Sequence, residues 1–485
     1  MMIGWKLHGD GRTPPPGEVV RPDERLSWPR TAGIGAQHVV AMFGATFVFP
    51  VVMGLDPNLA IMMSGVATLL FLLIVGGRVP SYLGTSASFV GAVAAIRAAG
   101  GDSATVTGAI LVAGVVLALV GVLIHFAGGD VVHRVFPPVV TGAVVMLIGF
   151  NLAPVVANVY WPQDQWVALA TLGFAVFCAV LLRGFWARIA VLLALVFGYL
   201  LSWLLDSTAG KITSVLPGQN LLDASGKACQ AEGPYCVATA FPHDRINVDG
   251  VKAADWFGFP SLHAPDFKTS AILLALPPVI ALIAENTGHV KAVAAMTGAD
   301  LDPVLGRAVA ADGVGTALAA AVGGSPTTTY AENIGVMAAT RIYSTAAYLV
   351  AAVVAILFGL CPKFGALVAA TPGGVLGGIT VVLYGMIGLL GAKIWIENRV
   401  DFADPVNLVP VAAGIILAIG DVTLKITDDF PLQGIALGTI AVLLGYHVLN
   451  AVRGPDGAGG GVIAPGEREI GGPVRPSGAP ETGAG

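Results

Sequence analysis

Four side chains able to hold or move a proton, Glu285, His289, Asp312 and Glu332, stand in stretches that are otherwise apolar or small. Glu285 and His289 are four residues apart in Ala284-Glu285-Asn286-Thr287-Gly288-His289, so a helix brings both to one face. Asp312 sits in Ala310-Ala311-Asp312-Gly313, and Glu332 follows a run of Thr residues. A carboxylate in a lipid-buried helix costs at least ~2.5 to 3.5 kcal/mol, which makes each of these groups a functional candidate. Proton transfer and acceptance of a ligand N–H are chemistries open to them. A Glu and a His one turn apart could also be two zinc ligands, but a third strong ligand at recognisable spacing is missing and no HExxH occurs, so no metal is expected. The plain alternative is a pair that neutralises itself inside a helical bundle.

Such groups need apolar elements around them, and the composition supplies these: 55% of residues are hydrophobic and 11% charged, where a soluble domain carries about a quarter charged. A span across the hydrocarbon takes ~20 residues. Clear runs cover about 33–54, 57–76, 104–128, 137–159, 166–183, 185–205, 268–294, 305–323, 343–361, 372–392, 405–420 and 432–450. Two more segments, near 80–97 and 328–340, are short and crowded with Gly, Ser, Thr and Pro. Each is third in its half, and matching interrupted segments in two halves mark transporters built from inverted repeats. The expected fold is an all-α polytopic membrane protein of 14 transmembrane segments, two inverted seven-segment repeats with interrupted third and tenth spans. The expected division is 1–32 cytoplasmic tail, 33–206 first repeat, 207–267 extracellular or periplasmic loop, 268–450 second repeat and 451–485 disordered cytoplasmic tail.

Of 25 Lys and Arg residues, this topology places 17 on the cytoplasmic side and 8 outside, five of the latter in the long loop. That bias puts both termini in the cytoplasm and the protein in the plasma membrane. The net charge of −5 and dispersed basic residues give no nucleic-acid face. Cys178 and Cys361 read as buried thiols. Cys229 and Cys236 share the outer loop, where a disulfide is possible and would contribute roughly 2 to 3 kcal/mol.

The stretch Glu332-Asn333-Ile334-Gly335-Val336-Met337-Ala338-Ala339-Thr340-Arg341 matches the signature of the nucleobase–ascorbate transporters, the second class of nucleobase:cation symporters. Gln37-His38 in the first span, Arg399-Val400-Asp401-Phe402 and Asn407-Leu408 extend the resemblance from about Gln37 to Leu449. Within the family the chain resembles bacterial uracil and pyrimidine permeases, with Glu332 and His289 as the uracil-type choices; Asp312 resembles the purine branch as well.

The resemblance implies a proton-coupled symporter of uracil or a related pyrimidine, with a xanthine-type purine carrier as the alternative; a channel or membrane enzyme is the different-class alternative. It implies substrate contacts from Ala87, Phe89, Glu285, His289, Tyr330, Ala331, Glu332, Asn333 and Tyr384, and proton coupling through Glu285, His289 and Asp312. Gln37 and His38 would brace the first span against Ser86, with Gly335, Thr340 and Arg341 as further support. Ala87 stands where uracil permeases often have Phe, and Ala331 where many have Gly. The resemblance further implies a core domain of spans 1–4 and 8–11, a gate domain of spans 5–7 and 12–14, a homodimer joined through gate domains, and no cofactor beyond protons.

Overall fold

The computed structural model describes residues 4–12, 14, 18–128, 134–183, 186, 189–215, 221–223, 236–238, 240–420, 422–427 and 430–453. Cys229 and the tail beyond residue 453 lie outside them, and with Cys229 the proposed cysteine pair. Among the described residues, nine helices are long and apolar enough to cross a membrane, or ten when one bent pair is counted as a span.

In chain order the helices are α1 (Trp28–Ala41), α2 (Phe43–Met53), α3 (Pro57–Ile74), α4 (Val90–Ala98), α5 (Ser103–Ala127), α6 (Pro138–Asn151), α7 (Gln165–Leu181) and α8 (Ala190–Thr208). After the polar loop that follows α8, with its short helix α9 (Asp249–Ala253), come α10 (Thr269–Ala275), α11 (Pro277–Thr297), α12 (Asp302–Ala321), α13 (Ala331–Thr340), α14 (Thr345–Gly359), α15 (Pro362–Ala369), α16 (Gly373–Glu397), α17 (Pro405–Ile419) and α18 (Gly434–Arg453). Helix α15 bends 82° away from α14, at Cys361-Pro362.

Small residues decide which helices touch. On α5 and α12, an added Cβ at Gly121, Gly306 or Gly313 would come within 2.2–2.3 Å of the facing backbone, so these two spans meet at main-chain distance. Gly149 and Gly391 do the same between α6 and α16. Lipid offers apolar side chains no hydrophobic reward for leaving it, and close backbone packing of this kind is what holds such helices together. The opposite face of α5 turns Leu119, Leu123 and Phe126 outward, as a lipid-facing surface requires. Helix starts are fixed by acidic caps: Asp56 accepts from the N–H groups of Asn58 and Leu59, Asp102 from Thr105, and Asp164 from Trp166 and Val167. Asp404 caps α17 and is held below the usual carboxylate range by the Arg453 guanidinium, then by the Val406 N–H.

The two interrupted segments cross at the centre. Four short strands, β4 (Ile212–Ser214), β5 (Leu221–Asp223), β6 (Cys236–Ala238) and β7 (Phe241–His243), lie between α8 and α9, and strand β3 (Leu83–Thr85) pairs antiparallel with β8 (Thr327–Thr329), Leu83 opposite Thr329 and Thr85 opposite Thr327. Non-helical backbone inside a membrane must find its partners within the protein, and here each segment satisfies the other. A 3₁₀ turn (Ala87–Phe89) leads into α4, and Tyr330 leads into α13, so two short helices begin at the crossing.

The N-terminal segment, expected as a tail, is a clasp. Strand β1 (Lys6–Leu7) lies beside β2 (Glu24–Arg25), the Val20 N–H donates to the Arg341 carbonyl, and the Tyr343 N–H donates to Val20 O. Trp5 Nε1 donates to Thr345 Oγ1 at 2.8 Å. The clasp thereby grips the far end of α13, where Arg341 takes a left-handed φ of 57°.

Candidate functional site

Helix α13 starts immediately after the β3–β8 crossing, so its first N–H groups have no carbonyl one turn back to bond. Ala331 is the first residue of α13, and Ala87 is the first of the turn that leads to α4. Both are half-buried. Their N–H groups are donors at the protein centre, suited to a carbonyl oxygen or an anion.

Acidic groups gather beside them. Glu332 is exposed at the start of α13, and Glu285 on α11 is half-buried, accepting from Thr328 Oγ1 at 3.4 Å. Asp312 on α12 is fully buried and accepts from Asn286 Nδ2 at 2.6 Å. No ion pair reaches any of these three carboxylates among the described residues. His289, one turn after Glu285, bonds through Nδ1 to Thr329 Oγ1 at 2.7 Å. The structure therefore brings Glu285, His289, Asp312, Ala331 and Glu332 together around β8.

Exposed positions continue from this site along both helices: Gly288 and Ala295 on α11, and Gly335, Ala338 and Ala339 on α13. Helix α13 runs toward the end of the molecule that carries the N-terminal clasp, since it ends at Arg341 beneath it. The exposed positions of α13 continue from the site toward that end.

The remaining candidates form the frame. Tyr330 is buried under the crossing, its hydroxyl donating to Thr85 O at 2.6 Å, with Thr46 Oγ1 at 3.3 Å. Tyr384 on α16 is buried and stacks against Phe49 of α2, ring centroids 6.1 Å apart, and its hydroxyl finds no partner among the described residues. Phe89 is fully buried behind the 3₁₀ turn. Asn333 faces away from the opening: its Nδ2 meets His38 Nδ1 at 3.0 Å and donates to His38 O at 3.1 Å.

That geometry corrects one expectation. His38 braces α1 against α13 and packs its ring on Tyr348 at 4.4 Å, and among the described residues no hydrogen bond joins it to Ser86. Ser86 instead caps the 3₁₀ turn, accepting from the Ser88 N–H, while its own N–H bonds to Pro326 O. Gln37, next to His38, is half-buried. Gly335 lies on the open face of α13, Thr340 donates to Val336 O, and Arg341 ends the helix.

Two residues were missed by the sequence reading, Asn286 and Thr329. A signal existed: Asn286 lies between Glu285 and His289 in the same apolar span, and a buried amide in a membrane helix is as conspicuous as a charge.

A helical membrane bundle whose two broken segments cross at the centre, beside carboxylates that have no counter-ion among the described residues, defines a polytopic membrane transporter. Comparison with known proteins makes this specific: the Xan_ur_permease model, described as a permease family, matches residues 30–427, and the chain belongs to that family, the nucleobase–ascorbate transporters or nucleobase:cation symporter-2. It is 44% identical over 441 residues to RutG of Escherichia coli (strain K12), named as a pyrimidine permease, covering 90% of this chain and 92% of that one. The uracil permease of Bacillus caldolyticus is 35% identical over 427 residues, covering 85% and 90%. Among solved structures, the transmembrane domain of the cyanobacterial bicarbonate transporter BicA superposes with a TM-score of 0.54 at 15% identity, over 86% of this chain and 96% of that one. Murine Slc26a9, an anion transporter in its inward-facing state, gives 0.60 at 12% identity, over 89% and 70%. At those identities the likeness is one of fold alone.

Proposed function

We propose that this protein is a proton-coupled symporter that takes up a nucleobase, uracil or a related pyrimidine. The observation that carries the reading is the pairing of two carboxylates, Glu285 and Glu332, with free helix N-termini at one opening. Uracil has two ring N–H donors and two carbonyl acceptors around a flat ring. Glu285 and Glu332 accept from the N–H groups, and the Ala87 and Ala331 N–H groups meet the carbonyls. Tyr384, whose hydroxyl has no partner among the described residues, and Phe89 close the pocket. The names of the relatives support pyrimidine cargo. An anion as cargo, as in the two structural neighbours, is disfavoured because two carboxylates repel it. Asp312 keeps a xanthine-type purine as the second reading.

In this proposal the 14 spans form two inverted repeats of seven, and spans 1–4 and 8–11 move as a core against a gate of spans 5–7 and 12–14. The nine longer helices, the bent pair α14–α15, the shorter apolar helices at 87–97, 165–181 and 405–419, and the short α13 after the second interrupted segment together make 14 and support that count. Both termini lie in the cytoplasm and the protein in the plasma membrane in this proposal. A homodimer through the gate completes the proposal.

The test is equilibrium binding of uracil to purified protein, with thymine and xanthine as competitors. Glu332→Gln replaces an acceptor-only group by one bearing a misplaced donor, and leaving a buried hydrogen bond unmade costs ~1 to 3 kcal/mol. Uracil affinity falls roughly 5- to 150-fold in that variant. Unchanged affinity would remove Glu332 from the site, and tighter binding of xanthine than of uracil would favour the purine reading.

A further inference from the structure

A line of four polar side chains runs behind the site from His289 to Asp312. His289 Nδ1 lies 2.7 Å from Thr329 Oγ1, Thr329 Oγ1 lies 3.2 Å from Asn286 Oδ1, and Asn286 Nδ2 lies 2.6 Å from Asp312 Oδ2. All four residues are buried. The direction of every bond follows from one fixed point. Asn286 Nδ2 is also 3.0 Å from the Leu282 carbonyl, which only accepts, so the amide has one orientation whatever the protonation of Asp312. Its Oδ1 therefore faces Thr329 and accepts. A hydroxyl has a single proton, and Thr329 uses it on Asn286, which leaves its oxygen to accept from His289. The imidazole proton is on Nδ1.

We propose that Asn286 and Thr329 are positioning residues that lock neutral His289 as the Nδ1–H tautomer and so present Nε2 as a hydrogen-bond acceptor to a ligand N–H edge. In water the Nε2–H tautomer is the commoner one, so the locked form is a choice imposed by the chain. Asp312 anchors the line at its far end by holding the Asn286 amide. His289 then stands beside Glu285 on α11 as a second acceptor for the one ring N–H turned toward that helix, while Glu332 takes the other. This assignment rests on the nucleobase reading for its ligand, whereas the tautomer itself does not.

The experiment is nitrogen NMR of full-length protein labelled with ¹⁵N-histidine in lipid nanodiscs, with the His289 signals identified by their loss in His289→Gln, alongside uracil binding. The parent carries its proton on Nδ1. Thr329→Val, nearly the same shape without the hydroxyl, moves the proton toward Nε2 and weakens uracil binding about tenfold, as loss of one buried hydrogen bond predicts. Thr329→Ser, which keeps the hydroxyl, restores both, a result that a purely steric role for Thr329 would not give. Asn286→Leu shifts the tautomer in the same direction if it folds, and the Thr329 pair decides the matter if it does not. A parent His289 protonated on Nε2, or a Thr329→Val variant with the parent tautomer and affinity, overturns the proposal. A parent that binds no base yet keeps the Nδ1 proton supports the positioning and overturns the nucleobase reading alone.

Discussion

Glu285 and His289 are one helical turn apart on α11, and they meet consecutive residues of β8, Thr328 and Thr329. Any movement of the crossing relative to α11 changes the surroundings of both titratable groups together. Removing the carboxylate should accordingly separate binding from pumping: Glu285→Gln loses proton-driven accumulation more completely than it loses uracil binding, and His289→Ala retains weaker uptake with an altered pH profile. Both are measured in proteoliposomes beside equilibrium binding. Accumulation at the parent rate in Glu285→Gln would place the coupling proton elsewhere, with Asp312 the next candidate. Glu285, His289, Asp312 and Glu332 were legible in the sequence because charge among apolar residues is conspicuous. The bonds between them were not, because Thr329 and Asn286 carry no charge and their partners lie up to 43 residues away in the chain. The role of His38 was misplaced for the same reason: its partner, Asn333, is 295 residues distant.

At the scale of elements, the crossing of β3 and β8 is the part on which the site depends, and Gly84 sets its closeness. A Cβ there would meet Thr46 Oγ1 at 2.5 Å and the Tyr330 ring at 2.6 Å, both buried side chains with no room to retreat. Gly84→Ala should therefore cost about 1 to 3 kcal/mol of overpacking, seen as a lower melting temperature in a thermal-shift assay, and weaken binding by displacing Tyr330. A variant with the parent melting temperature and affinity would show that the crossing yields easily. The two interrupted segments were visible as clusters of Gly, Ser, Thr and Pro in an apolar chain, but their mutual pairing joins residues more than 240 apart and has no local signature. The N-terminal clasp was hidden for a different reason. Trp5, Val20 and Leu26 are isolated apolar residues in a segment rich in Pro and Arg, without the periodicity that marks an element, and only the docking surface at Ile342 and Thr345 orders them.

For the whole molecule, composition and span length made a polytopic membrane bundle evident, and the structural neighbours share that fold while being named for anions. Fold therefore does not select the cargo, and the choice falls to the few side chains at the crossing. The most direct test is radiolabelled uracil uptake by proteoliposomes containing the purified protein, with and without an imposed pH gradient. The account predicts accumulation above the external concentration when the outside is acidic, abolished by a protonophore and competed by unlabelled pyrimidine. Equilibration without accumulation under the same gradient, or uptake indifferent to pyrimidine and sensitive to an inorganic anion, would contradict it.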